Sequence, residues 1–269
     1  LACLNYESTR KRLPAANDRS SHTTAGWSWI VHVLPFIEEV NLYNNLSTVT
    51  GRFSADFSAS LAPTSTNTAL PQLICPSSTL TNPNTSNTDG LRGLTNYKAA
   101  AAVGIIAAGE PTSTDVRGGG LITEHVWSNE PTLRANTSYS GIETRQASDG
   151  LSKTVMVGEV CGSNDSFPWA RGQTSWITPA VTVFASDLTQ GTAPTITKIM
   201  GRNVTGSTNT TGDCYNTGAV QGLGSFHTGN LVLHAYGDGH TSAVSADVDS
   251  SVLASIYTRS NGEAVAELP

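Results

Sequence analysis

The second half of the chain constrains the fold most, because after Gly118, Gly119 and Gly120 it breaks into short runs rich in β-branched residues, each closed by turn formers. LITEHVW (121–127), KTVMVGEV (153–160), SWITPAVTVF (175–184), NLVLHAY (230–236) and HTSAVS (240–245) all read as strands. The last two flank Asp238-Gly239, a dipeptide suited to a type I′ turn, so Asn230–Gly237 and His240–Ser245 are expected to form a hairpin. Strand alternation sets Val232, His234 and Tyr236 on one face of it.

A sheet of this kind needs a second layer over its apolar face, and the first part of the chain carries helical patterns that can supply one. Leu1, Leu4 and Tyr6 fit the tail of a helix that ends near Arg12, ahead of Pro14. Trp27 to Leu46 line up apolar residues at helical spacing, and the helix proper is expected from Pro35 to Asn45, since Pro is tolerated in a first turn. KAAAAVGIIAAG (98–109) is read as a strand because Gly104 weakens a helix there. Residues 54–90 form a polar Ser/Thr/Asn/Pro-rich loop excursion, pinned by the apolar residues around Leu73 to Cys75. A short helix closes the chain, capped by Asp249 or Ser250 and burying Val252, Leu253, Ile256 and Tyr257. The expectation is an α+β fold, with an N-terminal helix packed on a mostly antiparallel β-sheet, long loops and a short C-terminal helix.

Composition narrows the function classes. Charged residues are only 13% of the chain, about half the share usual in soluble domains, which suits an extracytoplasmic protein. A net charge of -6 leaves no basic surface for a phosphate backbone, so no nucleic-acid partner is expected. No run of about 18 apolar residues crosses a bilayer. The four cysteines show no zinc-type spacing; a Cys161–Cys214 disulfide is the favoured pairing in an oxidising compartment, with separate thiols as the alternative.

The candidates for chemistry are few. His227, His234, Asp238 and His240 are the densest set of side chains able to bind a metal, although turn chemistry alone accounts for Asp238. Asp247 and Asp249 are candidates for calcium, with helix capping as the other account of Asp249. The metal candidates are therefore His227, Asp238, Asp247 and Asp249, and no other cofactor is expected. Glu159 and Asp149 form a candidate acid/base pair, against the structural reading of a hydrogen-bonded strand end and a turn. The loop residues Trp127 and Trp169 are candidates for stacking on a sugar. No hydrolase motif such as GxSxG or HExxH is present, and the protein is expected not to be an enzyme.

Several strings, taken in order, give the chain a family resemblance: LNYEST (4–9), GWSWIVHVLPFIEEVNLYN (26–44), LICPS (73–77), NY (96–97), SDGLSKTVMVGE (148–159), FHTG (226–229), YGDG (236–239) and NGE (261–263). It resembles bacterial, planctomycete-type prepilin-like surface proteins of unknown function, which carry a prepilin-type N-terminal cleavage and methylation helix and a C-terminal signature of His, nine residues, then Asp-Gly. Ten residues separate His227 from Asp238 here, which implies a one-residue insertion or bulge in the first hairpin strand. The resemblance implies that residues 1–14 are the end of a pilin-type helix and 15–269 a single extracytoplasmic domain. It further implies a structural subunit of a pilus-like, pseudopilin or cell-surface assembly, meeting copies of itself or other pilin-like subunits through that helix and touching a membrane only through a segment ahead of Leu1. The alternative is a surface-anchored glycan- or solute-binding module.

Overall fold

The computed structural model describes residues 1–15, 17–19, 27–49, 68–77, 93, 95–103, 120–122, 125–126, 141–159, 181–184, 225, 227, 231–245, 248, 252 and 255–260. The chain opens with helix α1, Ala2–Arg10. Lys11 ends it in the left-handed conformation (φ 62°), with its backbone N–H returned to the Glu7 carbonyl at 2.6 Å. The stripe that α1 buries is Cys3 and Tyr6, one helical turn apart, while Leu1 stays exposed.

The next helical region departs from expectation. It is divided into α2 (Trp29–Val33), a 3₁₀ turn over Leu34–Phe36 and α3 (Val40–Val49), instead of one helix from Pro35 to Asn45. Pro35 cannot donate to the preceding turn, so it sits at the start of the tighter 3₁₀ segment. Glu38 then takes a positive φ of 69°, and the helix restarts only when Glu39 O accepts from Tyr43 N at 3.0 Å. Ser28 starts α2 by accepting the Ile30 N–H on its hydroxyl at 3.0 Å, which lets Trp29, Ile30, Val31 and Val33 all be buried.

The described residues include eight short strands, two of them ahead of α2: β1 (Asn17–Arg19), β2 (Trp27–Ser28), β3 (Tyr97–Val103), β4 (His125–Val126), β5 (Val155–Glu159), β6 (Val181–Phe184), β7 (Leu231–Tyr236) and β8 (Thr241–Ser245). The main sheet has the order β6-β3-β5-β7-β8, in which β3, β5, β7 and β8 run antiparallel and β6 joins β3 in parallel at the edge. A smaller sheet has the order β2-β1-β4. Beyond β8, Val252 and Ser255 are helical, and Ile256 and Tyr257 are buried behind them, giving the short C-terminal helix of an α+β fold.

The core joins the helical layer to the sheet. Cys3 and Tyr6 of α1, Trp27, Trp29, Ile30 and Leu34 pack in one cluster with Leu73, Ala99 of β3 and Met156 of β5. Each fully buried aliphatic side chain of this kind contributes about 1.5–3 kcal/mol. Leu13 docks onto the body through its N–H to the Ile142 carbonyl at 2.9 Å, and Gly141 is required beside it: a Cβ there would lie 2.0 Å from the Leu13 carbonyl oxygen.

The β7–β8 hairpin forms as expected, with Val232, His234 and Tyr236 buried on one face, but its turn is not type I′. Gly239 N–H donates to Tyr236 O at 2.9 Å, Gly239 takes φ 93° and Asp238 does not take a positive φ. That is a three-residue loop, a turn closed by a left-handed glycine, which absorbs the extra residue that a two-residue loop would exclude. β7 pairs in even register with β8 from Leu231 to Ala235, and its pairing with β5 shifts on the β5 side, between Val155 and Val157; residues 228–230, where the rest of the expected insertion or bulge would fall, lie outside the described residues. The tip rests on α1: a Cβ on Gly239 would lie 3.0 Å from Leu4 Cδ1.

Candidate metal centre

Three segments distant in sequence meet at the end of β5. Glu159 is the last residue of β5 and pairs across the sheet with Tyr97, the first residue of β3. Immediately before β3, Asn96 works in both directions: its backbone N–H donates to Leu73 O at 2.8 Å, and its side-chain Oδ1 accepts the Cys75 N–H at 2.9 Å. The Cys75 loop is thereby held against the start of β3, beside Glu159. On the other side β7 runs antiparallel to β5, which brings the residues ahead of Leu231 to the same end of the sheet. There the Ser225 hydroxyl donates to Leu231 O at 2.5 Å and accepts the His227 N–H at 2.9 Å, turning His227 inward.

The result is a cluster of Cys75, Glu159 and His227 whose sulfur, oxygen and nitrogen atoms all lie within 4.8 Å of one another. Glu159 Oε1 is 3.3 Å from His227 Nε2, and Cys75 Sγ is 3.7 Å from the same nitrogen. Cys75 and Glu159 are 3% and 1% exposed, whereas the His227 side chain is 32% exposed and forms the outer wall. Neither Glu159 oxygen has a hydrogen-bond partner among the described residues. The described residues therefore do not supply the hydrogen bond of the strand end that the sequence suggests; the close neighbours of the acid are the His227 ring and the Cys75 thiol.

Burial pushes the Cys75 thiol above its ordinary range, and the neighbouring Glu159 carboxylate pushes it further. The Tyr97 phenol is raised for the same reasons, burial first and then Glu159 and Cys75. The geometry is not that of a nucleophile relay, in which the acid and the nucleophile take opposite nitrogens of the imidazole. Here both converge on Nε2. A raised thiol is also the reverse of an activated one. Convergence of a sulfur, a nitrogen and an oxygen on one point is what a metal ion uses.

The other candidates from sequence fall elsewhere. Asp238 lies in the hairpin turn, where its Oδ1 accepts the His240 N–H at 3.0 Å and pairs with His240 Nδ1 at 2.6 Å. The whole of β7 stands between it and His227. His234 is buried, with Nδ1 donating to Val232 O at 2.8 Å and Nε2 paired to the Tyr257 hydroxyl, and desolvation lowers its pKa to about 4. Asp149 sits in the turn before β5, its N–H bonded to Arg259 O at 3.0 Å, so about 13 Å of strand separates it from Glu159. Trp127, Trp169, Asp247, Asp249, Cys161 and Cys214 lie outside the described residues. The two described cysteines, Cys3 and Cys75, are both free and buried.

Sequence reading singled out His227 and weighed Glu159, but did not join them to Cys75. A signal was present: LICPS, NY, SDGLSKTVMVGE and FHTG, four of the strings that carry the resemblance, contribute Cys75, Asn96, Glu159 and His227 to this one corner.

A family model described as SBP_bac_10, protein of unknown function (DUF1559), matches residues 1–251. No curated protein and no solved structure matches the chain.

Proposed function

From the premise that the chain belongs to the DUF1559 family of proteins of unknown function, we propose that it is the extracytoplasmic body of a prepilin-like subunit, a non-enzymatic structural component of a pilus-like, pseudopilin or cell-surface assembly. The observation that carries this reading is the seating of α1. Its inner face, Cys3 and Tyr6, is part of the same core as Trp27, Trp29 and Met156, and the Leu13–Ile142 hydrogen bond and the Arg12–Glu143 ion pair at 2.9 Å follow it directly. A helix joined so firmly to an antiparallel sheet is a suitable mount for the apolar prepilin-type helix that the resemblance implies ahead of Leu1. Such a helix needs a bilayer or a partner, because a uniformly apolar surface is not stable in water. The partners on this reading are copies of the same chain or other pilin-like subunits.

The low charged fraction, 13%, supports a place outside the cytoplasm. A non-enzymatic role is supported by the cluster at β5, whose acid and thiol share one imidazole nitrogen. The test is mass spectrometry of the mature N-terminus of protein isolated from its own cells, together with electron microscopy of the same material. An N-methylated apolar first residue and regular filaments or arrays are expected. A mature chain without that residue, recovered as dispersed monomers, overturns the reading.

A further inference from the structure

We propose that Cys75, Glu159 and His227 bind a zinc ion, which ties the loop ahead of β3, the end of β5 and the loop ahead of β7 into one clasp. Zinc takes sulfur at about 2.3 Å and nitrogen or oxygen at about 2.0–2.2 Å, in a tetrahedral arrangement. At that angle the S···N separation comes to about 3.6 Å and the N···O separation to about 3.3 Å. The chain holds Cys75 Sγ 3.7 Å from His227 Nε2 and Glu159 Oε1 3.3 Å from the same nitrogen, so these two ligand pairs already stand at coordination spacing.

The second, independent observation is Glu159 itself. It is 1% exposed, at the end of the central strand of a five-stranded sheet, and neither oxygen has a hydrogen-bond partner among the described residues. Backbone pairing with Tyr97 fixes its position, so it cannot turn out to water without breaking the sheet. A cation between it and Cys75 gives those oxygens a partner.

The ligand chemistry selects the metal. Calcium and magnesium take oxygen donors, which excludes both from a site built on a thiolate and an imidazole. One sulfur, one nitrogen and one carboxylate oxygen suit zinc. On binding, the Cys75 thiol gives its proton to solvent and a sulfur–zinc bond replaces the S–H bond. His227, the one partly exposed member, leaves the fourth position to water or to a further donor.

The clasp is independent of the assembly reading, since it is tested on the 269-residue chain without any filament. The chain is stripped with a chelator and titrated with Zn²⁺ alone, then with Co²⁺ alone as a spectroscopic stand-in. One equivalent of zinc and a thiolate-to-cobalt charge-transfer band are expected. Cys75→Ser abolishes the band, and His227→Ala weakens zinc binding by at least about 100-fold, more than loss of an outer hydrogen bond would. A Cys161→Ser/Cys214→Ser double variant keeps both signals. Glu159→Gln moves two readouts in opposite directions: the melting temperature of the metal-free chain rises and zinc affinity falls, whereas loss of a purely structural carboxylate would lower the melting temperature. If Cys75→Ser does not fold, the cobalt band of the unaltered chain and the Glu159→Gln pair of measurements decide. Absence of the band, a band unchanged by Cys75→Ser and His227→Ala, or zinc binding that follows Cys161 and Cys214 overturns the proposal.

Discussion

Two carboxylate–histidine pairs sit at opposite ends of β7, and they differ in whether the carboxylate has already been used. At the hairpin tip, Asp238 and His240 are half exposed, and the backbone N–H of His240, followed by its ring, holds the Asp238 carboxyl below its ordinary pKa range. At the far end, Glu159 and His227 meet at 3.3 Å in a buried corner with no hydrogen bond to the acid among the described residues. The first pair is complete as a turn. The second is complete only with something added, and a list of ligand-type residues close in sequence cannot separate the two, because the distinction lies in what surrounds the oxygens.

The largest effect expected to sharpen this contrast comes from acid. Burial lowers the pKa of His234 to about 4, and burial aided by the Arg10 charge does the same for His32. Both stay neutral in the folded chain while the unfolded chain protonates them near 6.5. Their contribution to stability is therefore full above pH 6.5 and is lost as the pH falls towards 4, at about 1.4 kcal/mol per pH unit for each. Urea midpoints across that window measure it, and His234→Gln should reduce the slope.

Next in size is metal affinity, which separates the two ends of β7 directly. His227→Ala should weaken zinc binding by at least about 100-fold in competition with a chromophoric chelator, and His240→Ala by less than about twofold. A large loss from His240→Ala would break the comparison. Glu159→Gln should then raise the stability of the metal-free chain by about 1–3 kcal/mol, read as an increase in urea midpoint, because a neutral amide replaces a buried acid whose oxygens have no hydrogen-bond partner among the described residues. Gly239→Ala, which forces a side chain into φ 93° and against Leu4, should lower it by about 1 kcal/mol. Smallest is Asp238→Ala, an exposed turn contact, at about 0.5 kcal/mol.

Much of the fold was legible because its signals are local. Period-two alternation gave the buried face of β7, and the small-residue run from Lys98 was rightly read as a strand over its first part. The hairpin was legible, but its loop length was not: Asp-Gly serves a two-residue turn and a longer loop alike, and the choice depends on how Tyr236 pairs with His240. The helix at Pro35 failed for a comparable reason, since Pro suits a 3₁₀ start as well as an α start, and the 3₁₀ turn and Glu38's positive φ together divide α2 from α3. The cluster was the least legible part. His227 stood out, but Cys75 sits in a polar stretch far from it, and the Asn96 side chain that carries it to the sheet leaves no periodic pattern. Contacts of that separation are set by strand order, which the sequence does not spell out.

The resting of the hairpin tip on Leu4 has a mechanical consequence. β8 is the edge of the main sheet, and an edge hairpin is ordinarily the element that peels away first. Here its tip bears on the helix that opens the chain, so the last two strands cannot lift from the sheet without also parting the turn from Leu4.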